Sequence, residues 1–226
     1  MTSSNPILTG LQRLMRAARP LDLLNLYKGV PIVYPAVVRE LDEAQAVVRV
    51  TGFEIVCLTL EPTTILLSQM LEEAVSARVL AVDLPGQTAR LGYFEYASSR
   101  VGDRMTVRVA PRETVAVAVE VGERVLTGQL ADVSINGVGL HLPSSQAALL
   151  RPRAVVRLSL PLVEAAAAPA ALSGTVRFVR PEGEVTRVGI VFAQDVQTLM
   201  ILQYVRERQK EILDEIQALH RSRLTG

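Results

Sequence analysis

Short runs rich in Val, Ile, Leu, Thr and Tyr, each broken after a few residues by turn formers, constrain this chain more than any other feature. Between Lys28 and Tyr96 they are Val30–Val38, Gln45–Val50, Phe53–Leu60, Thr64–Leu67, Ala77–Val82 and Ala89–Tyr96. Breaks fall at Leu41-Asp42-Glu43, Glu61-Pro62 and Leu84-Pro85-Gly86. A second series follows: Met105–Val109, Thr114–Val121, Arg124–Val133, Val138–Leu142, Ala154–Leu160, Ala171–Val179 and Arg187–Phe192. Many short strands at such spacing predict closed barrels or a sandwich. The expected class is all-β, as two small β-barrels with a helix at each end of the chain.

The small, polar stretch from Ala97 to Asp103 separates the two series and reads as a linker. It divides the chain into 1–99 and 100–226. Asn5 is a good N-cap and Pro6 suits the first helical position, so a helix carrying Ile7, Leu8, Leu11, Leu14 and Met15 begins there. A long helix is predicted from about Asp195 to Arg221, with an apolar stripe of Leu202, Val205, Ile212, Ile216 and Leu219. That stripe fits packing on its own barrel, or a coiled-coil contact that would make a homodimer. The alanine-rich stretch from Glu164 to Pro169 reads as a loop, and no internal sequence repeat is evident.

Several functional classes are disfavoured. A net charge of +1 over 226 residues lacks the basic excess of a general nucleic-acid binder. One cysteine, Cys57, rules out a disulfide framework within the chain and reads as a buried strand residue. No secretory signal and no apolar stretch of roughly 18 residues is present, so a soluble, cytoplasmic protein is expected. His141 and His220 belong to different elements, and no zinc spacing, phosphate loop or nucleophile elbow occurs. The expectation is a protein without catalytic residues, metal or cofactor.

Two features rise above this texture. Arg100, Arg104, Arg108 and Arg112 recur every four residues, so Arg104 and Arg108 share a face if extended. An arginine fork can clamp phosphate, pair with the O6/N7 edge of guanine, or stack on a base. The second feature is Asp132-Val133-Ser134-Ile135-Asn136-Gly137-Val138-Gly139. Asn136-Gly137 signals a hairpin. Asp132 and Ser134 alternate with apolar neighbours and are expected on one outward face, as acceptors for guanine N–H groups and partners for phosphate or sugar. Gly137 allows close approach to the backbone.

Together the two features resemble the PilZ domain family, whose signature is an R-x-x-x-R lead-in followed by [D/N]-x-S-x-x-G. Here the lead-in is Arg104–Arg108, continued by Val109-Ala110-Pro111, with Asp132, Ser134 and Gly137 beginning 24 positions after Arg108. Arg108–Arg112 also satisfies the first half, but the Arg-Val-x-Pro continuation favours Arg104–Arg108. Gly174–Val179 and Val188–Phe192 look like the closing strands of such a barrel. The resemblance covers about residues 100–200. In one departure, Asp103 and Met105 flank Arg104 where many members carry a doubled basic residue. The first block is similar, by texture and position, to the N-terminal domain of YcgR-type flagellar brake proteins.

This resemblance implies a receptor for cyclic di-GMP. Arg104, Arg108, Asp132, Ser134 and Gly137 would hold the nucleotide, with Arg112, Asn136 and Gly139 as further members of the site. Gripping the ligand would order the lead-in and change the interdomain arrangement. The output would go to a protein partner in flagellar, pilus, polysaccharide-synthesis or regulatory machinery. The competing readings are a degenerate PilZ adaptor acting without nucleotide, and a split-barrel flavin enzyme.

Overall fold

A computed structural model describes residues 5–97, 107–162, 170–193 and 198–225. The expected linker beyond Ala97, the alanine-rich loop, Arg100 and Arg104 lie outside the described residues. Internal contacts divide the chain into two units, Met1–Met105 with Ile212–Gly226, and Thr106–Glu211.

The first unit opens with α1 (Pro6–Arg16), where the Asn5 side chain accepts from the Ile7 N–H at 3.0 Å and Pro6 occupies the first turn. Ile7, Leu11 and Leu14 are buried, and the helix packs against β2. Six antiparallel strands follow: β1 (Leu21–Tyr27), β2 (Val30–Leu41), β3 (Gln45–Val50), β4 (Thr63–Leu67), β5 (Val75–Asp83) and β6 (Thr88–Tyr96). They close into a barrel in the order β1-β2-β3-β6-β5-β4. Strict alternation along β2 turns Val30, Ile32, Tyr34, Ala36 and Val38 inward.

The strand β1 is not assigned by the sequence reading, because Asp22 and Asn25 are poor strand formers. Asn25 is nevertheless buried, and its polar atoms are matched. The Tyr34 hydroxyl donates to Asn25 Oδ1 at 2.7 Å, the Thr64 hydroxyl donates to the same oxygen at 2.9 Å, and Asn25 Nδ2 donates to the Thr63 carbonyl at 3.0 Å. Burial pushes the Tyr34 hydroxyl well above its ordinary pKa.

The expected strand Phe53–Leu60 is instead a 3-10 turn (Phe53–Val56) running into α2 (Cys57–Leu60). Ile55, Val56, Cys57 and Leu58 are all buried in succession, and α2 packs against β1 and β5. A continuous apolar run carries no period that separates strand from buried helix. Cys57 is thus buried as expected, but in a helical turn.

The second unit contains β7 (Ala116–Val121), β8 (Arg124–Ser134), β9 (Gly137–Pro143), a short α3 (Ser144–Ala147), β10 (Val155–Leu160), β11 (Ala170–Glu182) and β12 (Val185–Phe192). These strands also close into a barrel, in the order β10-β11-β12-β9-β8-β7. Counted from its own first strand, each barrel has the order 1-2-3-6-5-4. The duplication is one of topology, which explains why no sequence repeat is visible. Val117, Val119, Leu140, Leu142, Leu158 and Leu160 are fully buried in the second core. The expected strand Met105–Val109 reduces, among the described residues, to a single bridge between Val109 and Val133.

Helix α4 (Thr198–Thr225) ends the chain. Its buried side chains are Ile201, Val205, Arg208, Ile212 and Ile216, at helical spacing. Of the expected apolar stripe, Val205, Ile212 and Ile216 are buried, and Leu202 and Leu219 are half-buried. Among the described residues no helix is long and apolar enough to cross a membrane.

Two outcomes are expected. Leu158→Ala should lower stability by about 2–5 kcal/mol, since it empties a fully buried position, and urea unfolding of the full chain checks it. Cys57 should be inert to a thiol reagent until denaturant is added, because burial, with Glu54 nearby, pushes its thiol pKa up to about 12.

Candidate functional site

The hairpin between β8 and β9 organises the site. The two strands pair Ser134 with Gly137, so Ile135 and Asn136 form the tip. A bulge between Leu130 and Asp132 leaves Ala131 unpaired and brings Asp132 opposite Gly139. Gly137 is required by space: a Cβ there would stand 2.3 Å from the Ile190 carbonyl oxygen on β12. Asn136 is exposed at the tip, and its carbonyl accepts from the Phe192 N–H at 2.9 Å.

Ser134 does not stand outward beside Asp132 as the alternation predicts. It is buried, and its hydroxyl donates to the Gly137 carbonyl at 3.1 Å. A serine at a turn readily satisfies local backbone in this way. Here it closes the hairpin.

Asp132 is the centre of the charged cluster, with a side chain 15% exposed. Arg108 Nη1 reaches Asp132 Oδ1 at 3.4 Å, joining residues 24 apart in the chain. Arg187 Nη2 donates to the other oxygen, Oδ2. Two guanidiniums therefore flank one carboxylate, and the trio carries a net positive charge. Gly139 makes room for it. A Cβ there would lie 2.9 Å from Arg187 Nη2 and 3.0 Å from both Asp132 carboxylate oxygens. Beyond Arg187, its Nη1 donates to His141 Nε2 at 3.2 Å, and Glu182 Oε2 lies 3.6 Å from that nitrogen.

The lead-in that carries Arg108 is tied down just after it. The Val109 N–H donates to the Val133 carbonyl at 2.9 Å, and the Val133 N–H donates back at 3.0 Å. One residue further on, Arg208 Nε of α4 donates to the Ala110 carbonyl at 3.0 Å. Arg208 is itself buried and pairs with Glu211 at 2.8 Å.

The structure thus brings together Arg108, Asp132, Ser134, Gly137 and Gly139, with Asn136 at the hairpin tip. Arg112 lies elsewhere: it lines a groove of about 610 Å3 with Thr114, Pro161, Tyr204 and Arg208. Of the two, Arg108 meets Asp132 and Arg112 lines the groove. Arg187 and His141 were not singled out as site residues from the sequence. They face each other across the β12–β9 pair, a register that the sequence does not display.

The PilZ domain family model matches residues 102–207. That span takes in β7 through β12 and both halves of the motif, so the resemblance drawn from those residues is borne out for the second barrel. No curated protein matches the chain. Among solved structures, the chain is similar to MrkH of K. pneumonia in complex with c-di-GMP, at 14% identity and a TM-score of 0.41, covering 98% of each chain. It is similar to the Bacillus subtilis inhibitor of motility MotI/DgrA at 12% identity and a TM-score of 0.43, covering 85% of this chain and 96% of that one. The Escherichia coli YcgR structure in complex with c-di-GMP is matched at 15% identity and a TM-score of 0.39, covering 99% of this chain and 96% of that one.

Gly137→Ala is expected to lower stability by about 1–3 kcal/mol, because the added methyl meets backbone that cannot swing aside. Thermal unfolding beside the wild-type chain checks this, and an unchanged melting temperature would contradict the steric account.

Proposed function

We propose that this chain is a non-enzymatic receptor for cyclic di-GMP, with the nucleotide held on the second barrel. The PilZ domain match over 102–207 supports the ligand class. The observation that carries the reading is the meeting of Arg108 and Asp132, the two halves of the motif, at 3.4 Å.

In this reading the Asp132 carboxylate accepts from guanine N–H groups. Arg108 leaves its loose contact with Asp132 and grips phosphate or a guanine edge, where a fork of donors fits better than a single charge. Arg104 adds a second guanidinium from the same lead-in. Ser134, Gly137 and Gly139 act by shape: they close the hairpin, let β9 pass β12, and leave room around the carboxylate. Asn136 at the exposed tip is available to the ligand's edge. No bond in the nucleotide is made or broken.

The signal is a redistribution of conformations. Ligand gripped by Arg104 and Arg108 fixes the lead-in between the two units, and that shifts their arrangement in favour of one state. The changed surface regulates a protein partner in motility, pilus, biofilm or polysaccharide output. A cytoplasmic setting follows from this role.

The decisive test is calorimetric titration of the full chain with cyclic di-GMP, with GMP and cyclic di-AMP as competitors. Binding selective for cyclic di-GMP is expected, and no binding would sink the proposal. Arg108→Ala should weaken binding by about 1.5–3 kcal/mol, the loss of one charge-assisted contact. Arg112→Ala should leave affinity near wild type, since that side chain lines the separate groove beside Tyr204.

A further inference from the structure

Resting on the receptor reading above, we infer that Arg187 is the positioning residue of the guanine-reading carboxylate, and that guanine selectivity depends on it.

A carboxylate can read guanine only if one oxygen is presented in a fixed direction. Asp132 has two oxygens with different partners. Oδ2 is held by Arg187 Nη2, while Oδ1, among the described residues, meets Arg108 at the longer distance of 3.4 Å. The first contact anchors and the second is easily exchanged. Oδ1 is then the oxygen offered to the ligand, and Arg108 is the cation that moves.

Arg187 is suited to anchoring because it is itself fixed. Its side chain is 25% exposed, against 36% for Arg108. Its second terminal nitrogen donates to His141 Nε2, directly across the β12–β9 pair. The two ends of one planar fork are therefore fastened to two strands, β8 through Asp132 and β9 through His141. A lysine ammonium, a single point of charge, cannot span both. Gly139, lying on β9 between them, lacks the Cβ that would crowd Arg187 and Asp132.

The inference predicts a change in selectivity as well as in affinity. The probes are cyclic di-GMP and cyclic di-IMP, which lacks guanine's exocyclic amino group. Full-length wild type, Arg187→Met, Asp132→Asn and the double variant are titrated calorimetrically, with circular dichroism and thermal melting as checks on folding. Arg187→Met should weaken cyclic di-GMP binding about tenfold and cyclic di-IMP binding much less, so the ratio of the two narrows. Adding Asp132→Asn should cost little more than the larger single effect, since both variants remove the same oriented oxygen.

A folded Arg187→Met with wild-type affinity and ratio overturns the inference. So does an equal loss for both nucleotides, which is loss of positive charge alone, and so do independent effects in the double variant. Should Arg187→Met not fold, Arg187→Lys carries the same readout, and wild-type selectivity in it overturns the inference. A wild-type chain that binds neither nucleotide instead removes the receptor reading itself.

Discussion

A single carboxylate, Asp132, held between two guanidiniums, is the interaction around which the second barrel is arranged. It ties three parts of the chain that are remote in sequence: the lead-in before β7, the β8 hairpin strand and the last strand, β12. Its own surroundings are made to suit. The bulge at Ala131 sets it opposite Gly139, Gly139 leaves space, and His141 steadies the deeper arginine. A carboxylate so placed is partly buried, where an unpaired charge is costly. Two cations around one anion leave a surplus of positive charge, with one anchoring contact from Arg187 and one longer contact from Arg108.

The first barrel offers a built-in comparison. Its second and third strands carry a bulge at the corresponding place, between Val38 and Glu40, and Glu40 pairs with Val47 as Asp132 pairs with Gly139. The corner is chemically different. Asp42 accepts from the N–H groups of Ala44 and Gln45, at 2.8 and 2.6 Å, and these bonds hold its carboxyl below the usual range. Val47 brings a branched side chain where the second barrel has none. Glu40 and Asp42 make the corner acidic beside Arg90. The same strand order thus supports a cationic cluster in one barrel and an anionic turn in the other, and only side chains distinguish them.

Much of this was legible in the sequence. Alternation and turn residues mark most strands, the Asn5-Pro6 cap marks α1, and the spacing from Arg108 to Gly137 marks the candidate site. What escaped the reading did so for identifiable reasons. The strand β1 hides behind Asn25, whose burial is tolerable only because Tyr34 and Thr64 donate to it. Residues 53–60 are apolar without a period, so strand and helix look alike. Ser134 alternates as a surface residue should, yet the turn it closes draws it in. Arg187 depends on register, and register is set by the whole sheet, including a bulge between Val176 and Phe178 on the neighbouring strand.

Closure of both barrels bears on how any other protein could attach. In each, every strand is hydrogen-bonded on two sides, the last pairing with the first through β1–β4 and β7–β10. Recruitment by lending an extended peptide to a free sheet margin is thereby disfavoured along the paired stretches of these two sheets. Closure leaves side chains, on strand faces, at loops or along the terminal helix, as the main surface open to a visiting chain. Specificity for that visitor then resides in surface chemistry that point substitutions can change without disturbing the backbone ladder beneath.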